Sequence, residues 1–344
     1  MTALPWHRAV LQKLLADRSH FPHALLIHGP SGTGKAEFAR ALAASALCEA
    51  PQAGLACGAC PSCHWFSQGN HPDFREIVPE AIADEEGDVP EAAAGQVEGA
   101  KAEKARSLLI KIDQIRALAD FVSLTTHRAG FRVLVMRPAE AMQPAAANAL
   151  LKTLEEPAPA TIIALVSDRP ARLLATIRSR CRKLALPMPP RDVALAWLRA
   201  QGIANAESAL AIAGGAPLLA VELAQPEEEI LRRRLVGELA RPGGADPLAF
   251  ATAIDRNSVE RTIHWMQTWI QDLVRVKMGG EVRHHAEHLA ALHAKAKSAE
   301  VEALFAFDRE LASARSLAAH PLNPRLVTEH LLMAYNRATS ARSP

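Results

Sequence analysis

The chain has 344 residues, 49% of them hydrophobic and 22% charged, enough for one large core or for two or three domains, of which the latter is expected. Its 39 Lys and Arg nearly cancel 37 Asp and Glu, leaving a formal charge of +2, which excludes a protein that coats nucleic acid by charge alone. No apolar run is long enough to span a bilayer, and the opening "MTALPWHRAVLQKLLADRSH" reads as a short amphipathic helix after Pro5 rather than an export signal, so a cytoplasmic protein without a membrane partner is expected.

The first strand signal is "HALLIHGP", a short apolar run that ends in glycine and suits a buried parallel strand. It feeds "GPSGTGKA", Gly29 to Ala36, which is a phosphate-binding loop in all but its last residue. Gly29, Gly32 and Gly34 permit the backbone N–H groups to curl around phosphates, and Lys35 supplies a cation. The hydroxyl that normally follows and ligates Mg²⁺ is replaced by Ala36. A helix is predicted from there, with Phe38, Leu42 and Ala46 on one face. A bare glycine turn with a solvated Lys is the plainer alternative, and the strand and helix flanks count against it.

Four of the five cysteines follow at once: Cys48, Cys57, Cys60 and Cys63, spaced C-x8-C-x2-C-x2-C. In a cytosolic chain such clustering points to metal rather than to disulfides. Four thiolates around Zn²⁺ leave no open position, so the site is expected to be structural. Free thiols, an iron–sulfur cluster, or His64 or His71 in place of Cys48 are the alternatives.

Residues 80–107, rich in Ala, Glu and Gly without apolar period, read as a mobile surface insertion. "LLIKIDQIRALADFV" reads as strand into helix, and "FRVLVM" (131–136) and "TIIALVS" (161–167) as two more buried strands, separated by a helix "AAANALLKTLEE" that Pro157 stops. Alternating strands and helices imply a doubly wound parallel sheet. An ATPase also needs an acidic pair at the end of a neighbouring strand, but "FRVLVM" ends in Arg137 and Pro138, with Glu140 three residues on. Ala36 and Arg137 strike the same metal, so hydrolysis by this chain is not expected. The competing reading is an active motor ATPase that uses Lys35 with Glu140 or Asp168.

In "ATIRSRCRKLAL" Arg178, Arg180 and Arg182 alternate, and in an extended chain they share one side. A guanidinium is suited to a transferring phosphate, although spacing alone favours a solvated basic strand edge. Beyond "LALPMPP" (184–190) strand signals vanish. Residues 191–224 read as short helices broken at "GGAP", and 226–344 as helices throughout. His284, His285 and His288 read as a solvated helix face, Glu227–Glu229 with Arg232–Arg234 as surface pairing, Trp265 and Trp269 as core or subunit packing, and Cys181 as a small buried filler.

Taken together, "HALLIHGPSGTGKA", the cysteine cluster, "NHPDF", "NALLKTLEEP" and "TIRSRC" resemble the δ′ subunits of bacterial DNA polymerase III clamp loaders, within the AAA+ superfamily. The likeness covers residues 1 to about 225, and "HPLNPRLVTEHLL" resembles the family's C-terminal helices. It implies an AAA+-like α/β domain over 1–187 with a zinc module at about 48–63, a small helical lid over 188–225, and an all-α collar domain over 226–344 that serves oligomerisation. It further implies a hetero-pentamer with γ/τ-type ATPase subunits and a δ subunit, which opens a sliding clamp and places it on primer–template DNA. In such a loader the δ′-like member does not hydrolyse ATP, and Arg180 is the residue that would reach a neighbour's ATP site. Pro217 stands where hydrolysing relatives carry an Arg, while the near-intact phosphate loop leaves weak or vestigial ATP binding open.

Overall fold

The computed structural model describes residues 3–17, 21–85, 107–123, 127, 130–252, 254–255, 258–317 and 323–340. Packing divides the chain into two compact units, Met1–Val193 and Ala194–Pro344.

In the first unit a 3-10 turn at Pro5–His7 leads into α1 (Arg8–Leu15), β1 (Ala24–His28), α2 (Lys35–Leu47), α3 (Pro61–Ser67), β2 (Phe74–Ile77), α4 (Glu80–Glu85), α5 (Ile112–Ser123), β3 (Arg132–Met136), α6 (Pro144–Glu155), β4 (Thr161–Ser167), α7 (Ala175–Arg180) and β5 (Arg182–Ala185). The five strands form one parallel sheet in the order β2-β3-β4-β1-β5. Residues Ala24–Ile27 and all of β3 and β4 are buried, because helices cover both faces of a parallel sheet. Side chains alternate between two cores. Leu25, Ile27, Val133 and Ile162 meet α1 and α2 on one side, and Leu26, Leu134 and Ile163 meet α5 and α6 on the other.

Three local readings change. The stretch 108–110 pairs only through an isolated bridge between Ile110 and Met142, and the edge strand is instead β2, where the alternating Phe74–Ile77 carries two charges that mask its apolar signal. Residues 80–85 of the supposed insertion are helical, and Glu80 accepts from the Ser107 N–H and pairs with Lys111 at 2.6 Å, which closes its ends; 86–106 lie outside the described residues. Arg178 and Arg180 belong to α7 rather than to an extended run, so the alternation with Arg182 does not place them on one side.

The second unit contains only helices among its described residues: most of α8 (Arg191–Ala200), then α9 (Ala206–Ile212), α10 (Pro217–Leu223), α11 (Pro226–Ala240), α12 (Pro247–Ala251), α13 (Val259–Lys277), α14 (Leu289–Ser298), α15 (Val301–Leu317) and α16 (Pro324–Thr339). One buried cluster runs from Ala194 to Ala338, with Trp265 and Trp269 fully buried in it. The Trp269 indole N–H donates to the Tyr335 hydroxyl at 3.0 Å, which donates to the Leu239 carbonyl at 2.6 Å. This polar chain ties α13, α16 and α11 together at fixed register.

The histidines are not a solvated helix face. Asp272, fully buried on α13, accepts from the backbone N–H groups of Arg283, His284 and His285 at 2.8–2.9 Å, which folds that segment inward. His285 is buried edge-on against Trp269, and the His284 ring meets the Ala211 carbonyl. Arg232 is likewise buried rather than on the surface, between Glu229 and Glu287. Arg233 keeps the expected pairing with Glu229 four residues back.

Burial, then Arg232, pushes the His285 pKa down to about 3; burial, then Arg315, pushes that of His264 down to about 4. Both lie below an unfolded value of about 6.5, so the unfolded chain binds the extra protons. Stability is therefore full above about pH 6.5 and declines toward pH 4, by about 2 kcal/mol per histidine at pH 5. Urea midpoints should fall between pH 7.5 and 5, and less so in His285→Gln; midpoints independent of pH would refute this.

Candidate functional site

Parallel pairing of β1 with β4 sets His28 opposite Ser167, so the loop after β1 and the turn after β4 leave the sheet side by side. The phosphate loop begins with Gly29, where a Cβ would stand 2.1 Å from the Leu186 carbonyl oxygen; only glycine allows that approach. Gly34 caps α2 with φ 89°, the left-handed geometry that turns the chain into the helix. Gly32 is left-handed as well, at φ 72°. Each of the three positions therefore has a backbone geometry that favours glycine.

The Lys35 and Thr33 side chains are satisfied within the protein. The Lys35 ammonium, with its side chain 3% exposed, lies 2.6 Å from the Asp168 carboxylate and also donates to the Pro30 carbonyl. The Thr33 hydroxyl donates to the same carbonyl at 2.9 Å, and the Trp6 indole N–H donates to the Thr33 carbonyl. His7 is buried beside Lys35 with neither ring nitrogen hydrogen-bonded; burial, then the Lys35 charge, holds its pKa down at about 4. It is therefore neutral at pH 7 and adds no second cation.

The positions that would carry magnesium are apolar or basic. Ala36 has no oxygen to offer. Arg137 follows β3 and donates to Glu76 on β2, whose other oxygen accepts from Arg40 at 2.9 Å. Glu76, 9% exposed, is thus spent between two guanidiniums. Glu140 accepts from the Asp168 and Arg169 N–H groups at 3.1 Å each, which makes it a clamp on the turn after β4. Of the two acids of the motor reading, Asp168 is held by Lys35, and Glu140 is held by backbone through Oε1 alone, its Oε2 being buried without a hydrogen-bond partner.

Arg180 ends α7. Its guanidinium donates to the Thr176 carbonyl at 3.0 Å and pairs with Glu155 at 2.5 Å, with 36% of the side chain exposed. The two most specific phrases of the sequence, "NALLKTLEEP" and "TIRSRC", therefore meet through one ion pair. Nothing in the spacing of Arg178, Arg180 and Arg182 gave that partner. Only the packing of α6 against α7 supplies it. Cys181, next in the chain, is buried, and burial pushes its thiol up to about 11, in keeping with an inert filler.

The four remaining cysteines converge. Cys48 ends α2, Cys57 and Cys60 lie in the following turn, and Cys63 sits in the first turn of α3. Their sulfurs all lie within 4.8 Å of one another, with Cys48–Cys60 at 3.9 Å and Cys57–Cys63 at 4.0 Å. A tetrahedron with metal–sulfur bonds of about 2.3 Å has edges of roughly 3.8 Å. The donor set fits a metal ion. Backbone N–H groups of Ala59 and Cys60 pull the Cys57 thiol down to about 6, and burial pushes Cys63 up to about 12. A bound divalent cation overrides that spread by holding thiolates.

The histidine alternatives fall away. His71 Nδ1 accepts from the Asp73 N–H, so its Nε2 carries the proton and donates to the Ser62 hydroxyl, which donates to the Leu47 carbonyl. His71 braces α3 against the end of α2 and has no lone pair left for a metal. His64 is exposed and stands outside the cluster.

The profile of a family described as "DNA polymerase III, delta subunit" matches residues 7–190, and that of its C-terminal counterpart matches 229–336. Among relatives, the DNA polymerase III subunit delta′ of Pseudomonas aeruginosa is 40% identical over 64% of this chain and 60% of its own length. That of Escherichia coli is 32% identical over 82% and 77%, and that of Yersinia pestis 29% identical over 99% and 97%. Among the described residues, no single helix is long and apolar enough to cross a membrane.

Because the four thiolates close the coordination sphere and join α2 to α3, metal removal should soften the fold and leave no reactive centre exposed. Freshly purified protein should hold close to one metal ion per chain, and chelation should lower its melting temperature. Cys60→Ser should lose the ion and melt alike with and without chelator. Metal-free protein with an unchanged melt would defeat the assignment.

Proposed function

This chain belongs to the DNA polymerase III δ′ subunit family, and from that premise we propose that it serves DNA replication as a non-hydrolysing subunit of a clamp loader. One observation carries the non-hydrolysing part: Lys35 and Arg137 each hold an internal carboxylate, and neither Ala36 nor Arg137 can hold magnesium. Phosphoryl transfer depends on that metal and on a group that orients water.

On this reading the chain works in a hetero-pentamer with γ/τ-type ATPase subunits and a δ subunit, which opens a sliding clamp and sets it on primer–template DNA in the cytoplasm. Residues 188–225 act as the lid and 226–344 as the collar that joins the subunits. Arg180 is donated to a neighbour's ATP site. In favour of it are its exposure at the end of α7 and the two acceptors that hold the guanidinium at a defined place while leaving other N–H groups unused. The metal of the cysteine cluster is zinc, which four thiolates in a tetrahedron favour.

Arg180→Ala should lower clamp- and DNA-stimulated ATP turnover of the assembled loader by about tenfold or more, within the roughly 10³ or greater that an arginine finger supplies. Assembly, checked by size-exclusion chromatography, should be unchanged; equal turnover would remove the role of Arg180. The purified chain alone should show no ATP turnover. Turnover that Lys35→Ala abolishes would make it a motor instead.

A further inference from the structure

The phosphate loop is well formed yet closed on itself, and its closure depends on one exposed acid. Lys35 is nearly inaccessible, and a buried ammonium needs an anion because desolvation removes the water that would stabilise it. Asp168 fills that need from the neighbouring strand end. Its position is built in. Glu140 grips the Asp168 and Arg169 N–H groups, and the Ser167 hydroxyl accepts from Arg169 as well. The Asp168 side chain is itself 41% exposed, against 3% for Lys35.

We propose that Asp168 acts as a built-in stand-in for phosphate, holding shut a site that otherwise takes the triphosphate of a nucleotide without magnesium. Three observations lead there. The left-handed Gly32 and Gly34 keep the loop in a phosphate-cradling curl although no Mg²⁺ ligand accompanies it. The loop's one ammonium is committed to a carboxylate, the group that shares charge and acceptor oxygens with phosphate. The neighbouring His7 is neutral, and among the described residues the ion pair of Lys35 is with Asp168. The proposal deepens the reading of the chain as a non-hydrolysing subunit: an internal acid keeps nucleotide out where metal chemistry has been lost.

The test is equilibrium binding of ATP to the purified full chain, in excess EDTA and in excess Mg²⁺, for the unaltered protein, Asp168→Asn, Asp168→Ser and Asp168→Asn combined with Lys35→Ala. Thermal melts would confirm that each variant is folded. Asp168→Asn and Asp168→Ser should bind ATP about tenfold tighter or more than the unaltered chain. The gain should be the same in EDTA and Mg²⁺, and should vanish with Lys35→Ala. Equal binding by folded unaltered and Asp168 variants would overturn the proposal, as would a gain that survives the loss of Lys35. Hydrolysis by Asp168→Asn would instead overturn the non-hydrolysing reading, so the two failures are separable.

Discussion

The phosphate loop and its surroundings depend on β1 being sandwiched between β4 and β5 in parallel register. That pairing satisfies the strand along both edges and brings the turn after β4 beside the loop after β1. It also brings the Leu186 carbonyl so close to Gly29 that a side chain has no room. The phosphate loop's shape, the burial of Lys35 and its contact with Asp168 all follow from this one arrangement.

Charge inside that frame is arranged in closed pairs. Lys35 is held by Asp168, Arg137 and Arg40 share Glu76, and Arg180 is held by Glu155. These pairs differ in what they do because they differ in exposure. The Glu76 network is largely buried, where an unpartnered charge costs several kcal/mol, so it is a structural fixture. The Arg180–Glu155 pair is half exposed, where an ion pair is worth about 1 kcal/mol or less and can be exchanged for another anion. Exposure thus separates a fixed charge at Glu76 from one at Arg180 that can change partners.

The cysteine cluster and the second unit solve a different problem, which is fixing helices against one another. Around Cys48, Cys57, Cys60 and Cys63 the chain is mostly turn, and a metal held there would supply cross-links that a small apolar core cannot. In the helical unit the fixing is done by polar groups inside the core: the Trp269–Tyr335–Leu239 chain and the three N–H groups that converge on Asp272. Each is costly to leave unsatisfied, and so each specifies one register of the helices.

Features that depend on neighbours along the chain were legible from the residues alone. The buried runs of β1, β3 and β4 were legible because a strand covered on both faces is continuously apolar. The glycine loop and the four cysteines were legible because their chemistry needs fixed short spacings. The loss of magnesium ligands could be read at Ala36 and Arg137 directly. Tertiary structure alone decided what depends on residues far apart: that Asp168 meets Lys35, that Glu155 meets Arg180, that β2 is the edge strand, and that His285 and Arg232 are inside. The reason is physical. Periodicity reports which face of an element is apolar, but a charged or imidazole side chain is buried only if a distant group arrives to satisfy it, and no local pattern records that arrival.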